Sequence, residues 1–352
     1  MTARSSRRVQ IGATLGDVAR RAGVSPMTVS RVINSSGNVH PDTRERVSAA
    51  IEALSYTPNS AARSLAGGTL TRLALLYSNP SAAYLSEFLV GSLAKASKSD
   101  VQMIVEKCDE TDEVAVVRRL IERGIDGVVL PPPLCDSRPV LQALFEANVP
   151  TVVVASGAPA DQAFAVSIDD EEAARQIARR LLALGHRRIG FIVGNRNQTA
   201  SAKRLVGYCR ALDEAGEPRR DALIVQGDFS YRSGLDAADR LLGGDAPPTA
   251  IFASNDDMAA AAVAVAHRRG LDVPGDVAVC GFDDTALATT IWPELTTVRQ
   301  PIADMAGTAV ELLLIALRRT RAGDPMQPEK RILDFSVIHR GSDGPVKSTA
   351  QA

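Results

Sequence analysis

The sequence is poor in the residues that build disulfide frameworks, metal sites and catalytic centres. Its four cysteines (Cys108, Cys135, Cys209 and Cys280) are far apart and form no CxxC pair or Cys/His cluster, so neither a disulfide framework nor a zinc site is indicated. Its four histidines are dispersed, and no GxSxG, P-loop or HExxH motif is present, nor a GxGxxG after the first predicted strand. We therefore expect reduced core cysteines, no metal, no cofactor and no enzymatic activity.

Long apolar segments are lacking as well. The longest apolar run, around residues 258–266, is far too short to span a bilayer. Arg4, Arg7 and Arg8 are not followed by the apolar stretch of a signal peptide. We therefore expect a cytoplasmic protein without membrane association. A chain of 352 residues with 45% hydrophobic and 23% charged residues is typical of a soluble globular protein of two or three domains.

The first 72 residues lack lysine and have few acids. They contain ten arginines and four acidic residues, a net charge of +6, whereas the remainder carries −7 and the whole chain −1. A basic N-terminal region on an acidic body predicts that only the N-terminal region binds a polyanion.

Residues 14–34 have the pattern of two short helices around a tight turn. Gly23 lies where the chain must turn, and Ser25 followed by Pro26 is the pattern of an N-cap with proline at the first helical position. Apolar residues recur at helical spacing in both segments. The pattern predicts a helix-turn-helix, which places its second helix in the major groove of DNA.

Two further helical segments follow this motif. Residues 39–54 carry apolar side chains at helical spacing and predict the third helix of a small head. Asn59 can cap a short helix that ends before Gly67 and Gly68. Because so short a helix is not stable alone in water, we expect it to fold only with DNA and a second subunit.

From residue 73 onward, short apolar runs alternate with amphipathic helices. The predicted buried strands are residues 73–77, 102–105, 127–130 and 151–155, then 188–193, 222–225, 250–253 and 277–280. Two such runs predict an α/β core of two doubly wound parallel sheets, the first ending near Asp169. A further helix over 305–318 and a final strand over 331–338 suggest that the chain crosses back between the two lobes.

These patterns divide the chain into five segments. We predict a helix-turn-helix domain over 1–58, a hinge helix and linker over 59–70, a first lobe from 71–170 and 300–329, a second lobe from 171–299 and 330–340, and a flexible tail over 341–352. The polar tail has no leucine heptad, so we expect a homodimer rather than a tetramer held by the tail.

Seven blocks of sequence carry a resemblance to a known family. They are TLGDVARRAGVSPMTVSRVIN (14–34), YTPNSAARSLA (56–66), LGHRRIGFI (184–192), RLVGY (204–208), FASNDDMAAAAV (252–263), VPGDVAVCGFDD (273–284) and PELTTVRQP (293–301). In this order they resemble the lactose-repressor (LacI/GalR) family of bacterial transcriptional regulators over nearly the whole chain. The resemblance implies a helix-turn-helix head, a hinge helix and a two-lobed core similar to periplasmic sugar-binding proteins. It also implies a dimer that binds a palindromic operator and a small-molecule effector between the lobes.

The resemblance assigns DNA contacts to the second helix and the hinge. Arg31 is the expected direct reader, because an arginine can bond guanine O6 and N7 together. Pro26 and Met27 occupy the family's other base-reading positions, although they also fit as cap and filler. Leu65 is expected to enter a minor-groove base step and kink the duplex. The predicted DNA-contacting set is Thr14, Ser25, Pro26, Met27, Thr28, Ser30, Arg31, Asn34, Asn59, Arg63 and Leu65.

Polar and aromatic residues follow several predicted strands, at the edge where α/β proteins bind ligands. An Arg/Asn/Asp set can bind vicinal hydroxyls, and an aromatic face can cover the C–H face of a sugar ring. We therefore expect a carbohydrate, while a nucleobase stacked on Phe229 is an alternative. The predicted effector-binding set, chosen from strand ends and the family resemblance, is Tyr77, Asn79, Tyr84, Arg204, Phe229, Asn255, Asp283 and Gln300.

Several of these residues have a plainer interpretation. Asn255 could cap the next helix, Arg204 could pair with a surface acid, and Asp283 could be an ordinary loop residue. Ala155 stands where some family members have an aspartate, which removes one ligand hydrogen bond, and Asp169 is a weaker candidate. A sugar-binding module without DNA function is the alternative to a regulator. The basic helix-turn-helix head and the missing signal peptide argue against it.

Overall fold

The computed structural model describes residues 13–33, 39–54, 56, 70–99, 101–109, 111–324 and 327–346. It divides the chain into two compact units, one that ends at Leu70 and one that begins at Thr71. The predicted DNA contacts Asn34, Asn59, Arg63 and Leu65 lie outside the described residues.

The first unit contains helices α1 (Leu15–Ala22), α2 (Pro26–Ile33) and α3 (Pro41–Ala53). The Thr14 side chain accepts a hydrogen bond from the Asp17 backbone N–H, and the Asp17 carboxylate accepts one from the Thr14 N–H, so α1 begins with a capping box. α1 ends at Gly23, whose φ of +65° favours glycine. The predicted helix-turn-helix with its third helix is confirmed.

One small apolar cluster holds these three helices together. Val18 of α1, Val29 of α2 and Val47 of α3 are fully buried in it. Because each helix contributes only a few buried side chains, this unit depends on every one of them.

The second unit begins with a lobe built on a parallel sheet. Its strands are β1 (Thr71–Tyr77), β2 (Val101–Lys107), β3 (Gly127–Leu130), β4 (Thr151–Val154), β5 (Phe164–Ser167) and, much later in the chain, β11 (Lys330–Ile332). Their order is β11-β5-β4-β3-β1-β2, with parallel neighbours throughout. The helices of this lobe are α4 (Ala82–Ala96), α5 (Glu113–Glu122), α6 (Arg138–Glu146) and α12 (Ile302–Arg321).

The other lobe repeats this architecture with a smaller sheet. Its strands β6 (Ile189–Val193), β7 (Ile224–Gln226), β8 (Ala250–Ala253) and β9 (Ala278–Cys280) lie in the order β7-β6-β8-β9, again parallel. Its helices are α7 (Asp170–Ala183), α8 (Thr199–Glu214), α9 (Tyr231–Leu242), α10 (Asp256–Arg268) and the short α11 (Leu287–Thr290). Strand β10 (Thr297–Arg299) pairs antiparallel with β12 (Ser336–Ile338). The predicted pair of doubly wound sheets is confirmed.

Helices on both faces of each sheet explain the apolar runs. Every residue of β3, β4, β6 and β8 is buried, as expected for parallel strands covered on both sides. Helix α12 approaches α4 so closely that a Cβ at Gly91 would lie 2.1 Å from the Ala303 carbonyl oxygen. None of the helices in the described ranges combines the length and apolar character needed to cross a membrane.

The structure corrects the predicted final strand. Residues 331–338 form no single strand, because β11 pairs with β5 in the first sheet whereas β12 pairs with β10. Residues 330–332 therefore belong to the first sheet and not, as predicted, to the second lobe. Ile332 and Leu333 are adjacent apolar residues, so the alternation of polar and apolar residues is interrupted where β11 ends. Strand β5, which has only four residues, was not predicted.

The predicted flexible tail is wrong for residues 341–346. Ser342 is buried, and its Oγ donates to the Val279 carbonyl at 2.6 Å. The Asp343 carboxylate accepts a hydrogen bond from Thr296 Oγ1 at 2.7 Å and pairs with Arg180. Buried polar groups need hydrogen-bond partners. Ser342 and Asp343 are such partners for the core, so this part of the chain is fixed in place.

Candidate functional site

Helix α2 presents an exposed face in the first unit. Ser25 Oγ accepts a hydrogen bond from the Thr28 N–H at 3.1 Å, so the predicted N-cap is present. Met27 is 66% exposed, Pro26 and Arg31 are exposed too, and Arg31 Nη2 lies 3.9 Å from Met27 Sδ. The two side chains therefore share one face, one helical turn apart. A cation beside apolar groups on the exposed face of a short helix can contact base edges in a groove.

The other predicted contacts of this unit surround α2 or begin α1. Thr28 and Ser30 are half-buried on α2. Thr14 is exposed at the start of α1, and its hydroxyl donates to Asp17 Oδ2 at 2.6 Å. Its first role is therefore to cap α1.

A cavity lies between the two lobes of the second unit, beyond the carboxyl ends of their strands. It is lined by Asn79, Ser81, Tyr84, Pro132, Ala155, Gln198, Ala200, Arg204, Phe229, Asn255, Asp283 and Gln300. The structure thus brings together all the predicted effector residues except Tyr77. Tyr77 ends β1 and packs, half-buried, against the core of the lobe.

Arg204 is held in place by the cavity wall. It is 4% exposed, and its Nε donates to Asp170 Oδ1 at 2.8 Å while Nη1 donates to the Ser254 carbonyl at 2.5 Å. The guanidinium carbon lies 3.6 Å from the ring centre of Phe282 and 5.8 Å from that of Phe229. Arg204 does pair with an acid, but with a buried one. Burial raises the pKa of Asp170, and Arg204 opposes that shift.

Two buried groups in the cavity wall have no hydrogen-bond partner among the described residues. These groups are the Tyr84 hydroxyl and Gln300 Oε1. Burial raises the pKa of Tyr84 well above its usual value, so the hydroxyl keeps its proton as a donor. An unpaired buried polar group costs about 1–3 kcal/mol. A ligand with hydroxyl or amide groups would remove this cost.

Asp283 faces the same space. Gln300 Nε2 donates to Asp283 Oδ1 at 2.6 Å, and Arg204 Nη1 lies 3.9 Å from that oxygen. Burial raises the pKa of Asp283 well above its usual value, although Arg204 opposes the shift. This carboxyl group can therefore hold a proton and donate to a ligand at pH values where an exposed aspartate only accepts.

Asn255 is both a cap and a wall residue. Its Oδ1 accepts from the Met258 N–H at 3.0 Å, which caps α10, and its Nδ2 donates to the Phe229 carbonyl at 2.9 Å. The plainer interpretation of Asn255 as a helix cap is thus correct, and the same side chain lines the cavity.

Backbone strain is concentrated around the cavity. Ala155, Phe229 and Asp283 have φ values of +56°, +75° and +115°, and all three line the cavity. Such conformations cost about 1–3 kcal/mol each in residues other than glycine and persist only where the surroundings hold them. The Asn255 hydrogen bond to the Phe229 carbonyl is one such restraint. Strain of this kind is typical of ligand sites.

Sequence reasoning missed four wall residues and misplaced one acid by a single position. The missed residues are Ser81, Pro132, Gln198 and Ala200. Ser81 and Gln198 are polar and follow β1 and β6, so the rule that selected Asn79 and Asn255 applied to them as well. Pro132 and Ala200 are neither polar nor aromatic, so that rule did not select them. Asp169 caps α7 through the Glu172 N–H at 2.9 Å, and the next residue, Asp170, is the one that binds Arg204.

The geometry defines a class: a helix-turn-helix unit joined to a two-lobed α/β core with a cavity lined by polar and aromatic side chains between the lobes. Sequence comparison agrees with this description. Residues 14–59 match the family model for bacterial regulatory proteins of the lacI family, and residues 178–342 match a periplasmic binding protein-like domain.

Full-length relatives give the family. The chain is 38% identical to Catabolite control protein A of Priestia megaterium over 303 residues, which cover 85% of this chain and 91% of that protein. It is 36% identical to the HTH-type transcriptional regulator CelR of Thermobifida fusca over 337 residues, covering 94% and 98%. The chain belongs to the lacI family of bacterial transcriptional regulators.

Solved structures share the fold. A complex of the transcriptional regulator CelR with cellobiose superimposes with a TM-score of 0.72 at 34% identity, covering 94% of this chain and 99% of that one. The lac repressor dimer bound to operator and the anti-inducer ONPF superimposes with a TM-score of 0.78 at 28% identity, with the same coverage.

Proposed function

We propose that the chain is a cytoplasmic transcriptional repressor that binds a palindromic operator as a dimer. Its effector is a small sugar or sugar derivative, held in the cavity between the lobes. Helix α2 reads the DNA through Arg31, Met27 and Pro26, with Leu65 of the predicted hinge as a further contact. The observation that carries the effector assignment is the cavity wall, in which the Tyr84 hydroxyl and Gln300 Oε1 are unpaired among the described residues.

The chemistry of the wall favours a polyhydroxylated ligand. Tyr84 offers a donor, Gln300 offers an acceptor, and Asp283 can do either according to its protonation. A sugar hydroxyl both donates and accepts, so adjacent hydroxyls can satisfy such a mixed set. Phe229 supplies an apolar face for the C–H groups of the ring. The CelR relative with cellobiose supports the same ligand class.

The ligand class is tested by melting the full chain against a panel of sugars and nucleobases. A ligand present at 100 times its Kd stabilises the core by about 2.7 kcal/mol. We expect at least one sugar to raise the melting temperature of the core and no nucleobase to do so. If only a nucleobase does, the alternative of a flat ring stacked on Phe229 replaces the sugar. If no sugar raises it, the carbohydrate proposal fails.

The Tyr84→Phe variant separates binding from folding. Removal of an unpaired buried hydroxyl leaves the free energy of unfolding equal or higher, because no hydrogen bond is lost. The same variant loses a ligand contact, and its affinity for the best sugar of the panel falls by about 1 kcal/mol. Tyr77→Phe, outside the cavity wall, is the matched control and keeps wild-type affinity. Equal affinity in both variants removes Tyr84 from the site.

A further inference from the structure

Thr199, the first residue of α8 in the second lobe, bonds directly to the first lobe. Its backbone N–H donates to Asp136 Oδ2 at 2.8 Å, and its hydroxyl lies 3.0 and 2.9 Å from the two Asp136 carboxylate oxygens. The same hydroxyl accepts from the backbone N–H of Gly157 at 2.7 Å and of Ala158 at 3.2 Å. Ser156 Oγ donates to Asp136 Oδ1 at 2.6 Å. We call Asp136, Ser156, Gly157 and Thr199 the clasp.

The backbones of the two lobes touch at the clasp. A Cβ at Gly157 would lie 2.8 Å from the Thr199 carbonyl oxygen and 2.9 Å from Lys203 Cγ. The φ of Gly157 is not in the left-handed region. The close approach of the other lobe, and not the backbone conformation, is therefore what excludes a side chain at this position.

The cap of α8 comes from the other lobe. Helices α7, α9 and α10 are capped by the side chains of their own N-cap residues, Asp169, Ser230 and Asn255. The N-cap residue of α8, Gln198, makes no such hydrogen bond. Asp136 supplies it instead. Separation of the lobes would therefore leave the start of α8 without its cap.

Helix α8 connects the clasp to the ligand cavity. Gln198 and Ala200, on either side of Thr199, line the cavity, and so does Arg204 further along the helix. A second hydrogen bond between the lobes, from Ser81 Oγ to Asp257 Oδ2 at 2.6 Å, involves another residue of the wall. Any movement of the clasp thus moves groups that face the ligand.

We propose that the clasp sets the relative position of the two lobes and thereby the shape of the ligand cavity, with Thr199 as a positioning residue that acts through α8 on Arg204. This inference rests on the proposed function, since it names how the ligand site is regulated. A ligand shifts the lobes only through different affinities for the clasped and unclasped states. The clasp is the element whose making and breaking distinguishes those states.

Amide hydrogen exchange of the full chain without ligand tests the clasp. Thr199→Val removes the hydroxyl but keeps the size of the side chain, and Gly157→Ala wedges the lobes apart without removing a hydrogen-bonding group. For both variants we expect about tenfold faster exchange in residues 155–158 and also in residues 81–84, at the second interlobe bond. Thr199→Ser restores the hydroxyl and keeps wild-type exchange. Thr290→Val is the matched control, because the Thr290 hydroxyl bonds the Leu287 carbonyl within α11.

Two results would contradict the proposal that the clasp sets the position of the lobes. If exchange accelerates only in residues 155–158 and 198–201, the hydrogen bonds are a local cap that does not hold the lobes. If neither Thr199→Val nor Gly157→Ala changes exchange, the contact has no role in closure. Because the measurement needs no ligand, a sugar panel that fails leaves this test valid, and a failed clasp leaves the sugar assignment standing.

Discussion

The two units of the chain place their candidate functional residues in opposite environments. On α2, Met27 is 66% exposed and Arg31 is exposed, whereas Arg204 and Asp283 in the core are each 4% exposed. A duplex is met by a protruding surface, while a small ligand must be enclosed. The residues that would read DNA are therefore separate from the packing of their unit. The residues that would bind the effector are part of the packed core of the second unit.

The largest expected effect contrasts two arginines, Arg204 and Arg31. Arg204→Met keeps most of the volume but leaves Asp170 buried without its cation, which costs the core about 3–5 kcal/mol. Arg31→Met changes the stability of the head by less than about 0.5 kcal/mol, because the side chain is exposed. Scanning calorimetry of the full chain measures both transitions. Similar losses of stability in the two variants would contradict the proposed difference between the two environments.

A smaller effect concerns the pH dependence of the core. Asp256 is fully buried, and its carboxylate accepts from the Thr285 N–H at 2.8 Å and from Thr297 Oγ1 at 2.7 Å. Burial raises the pKa of Asp256 to about 7. The native state therefore binds this proton more tightly than the unfolded state, so its stabilisation is complete below pH ~4 and is lost as the pH rises through about 7.

The corresponding measurement is the melting temperature of the core between pH 5 and 8. Each kcal/mol lost lowers it by roughly 2–4 °C, and each pKa unit corresponds to about 1.4 kcal/mol. Asp256→Asn should reduce the decrease in melting temperature between pH 5 and 8. Asp245→Asn, at an exposed position, should leave that decrease unchanged. The head, which has no counterpart to Asp256 among its described residues, serves as an internal reference. An unaltered slope in Asp256→Asn would show that Asp256 is ionised throughout this range.

The smallest expected effect compares a helix cap from each unit. Thr14→Ala removes the capping box of α1 and lowers the stability of the head by about 1 kcal/mol. Asn255→Ala removes the cap of α10 and also leaves the Phe229 carbonyl without its donor, so the loss is larger, about 2 kcal/mol. Asn255→Ala should also weaken binding of the best sugar, whereas Thr14→Ala should not. Equal losses of stability would mean that burial adds nothing to this cap.

Local patterns in the sequence predicted the head and most of the core elements. Gly23 and the Ser25-Pro26 pair mark the turn and the start of α2, and both signals lie within a few residues of the structure they specify. The buried strands are short apolar runs, which periodicity identifies without any tertiary information.

Contacts between distant segments could not be predicted in this way. Thr199 and Asp136 are 63 residues apart in sequence, and their hydrogen bond depends on how the two lobes meet. Ser342 reaches the Val279 carbonyl across an equal separation, so the end of the chain is part of the core although its composition suggests a tail. Asn79, Asn255 and Asp283 were found because strand ends converge, whereas Arg204, Phe229 and Gln300 came from the family resemblance. The choice between Asp169 and Asp170 depends on one residue of helical register.

The most direct test of this account joins the two units in one titration. DNA sites selected in vitro by the full chain are titrated by fluorescence anisotropy, with and without a saturating amount of the sugar that raises the melting temperature most. We expect the sugar to change the DNA affinity at least about fivefold, and DNA to change the sugar affinity by the same factor. A DNA affinity that stays the same with the cavity saturated would contradict it.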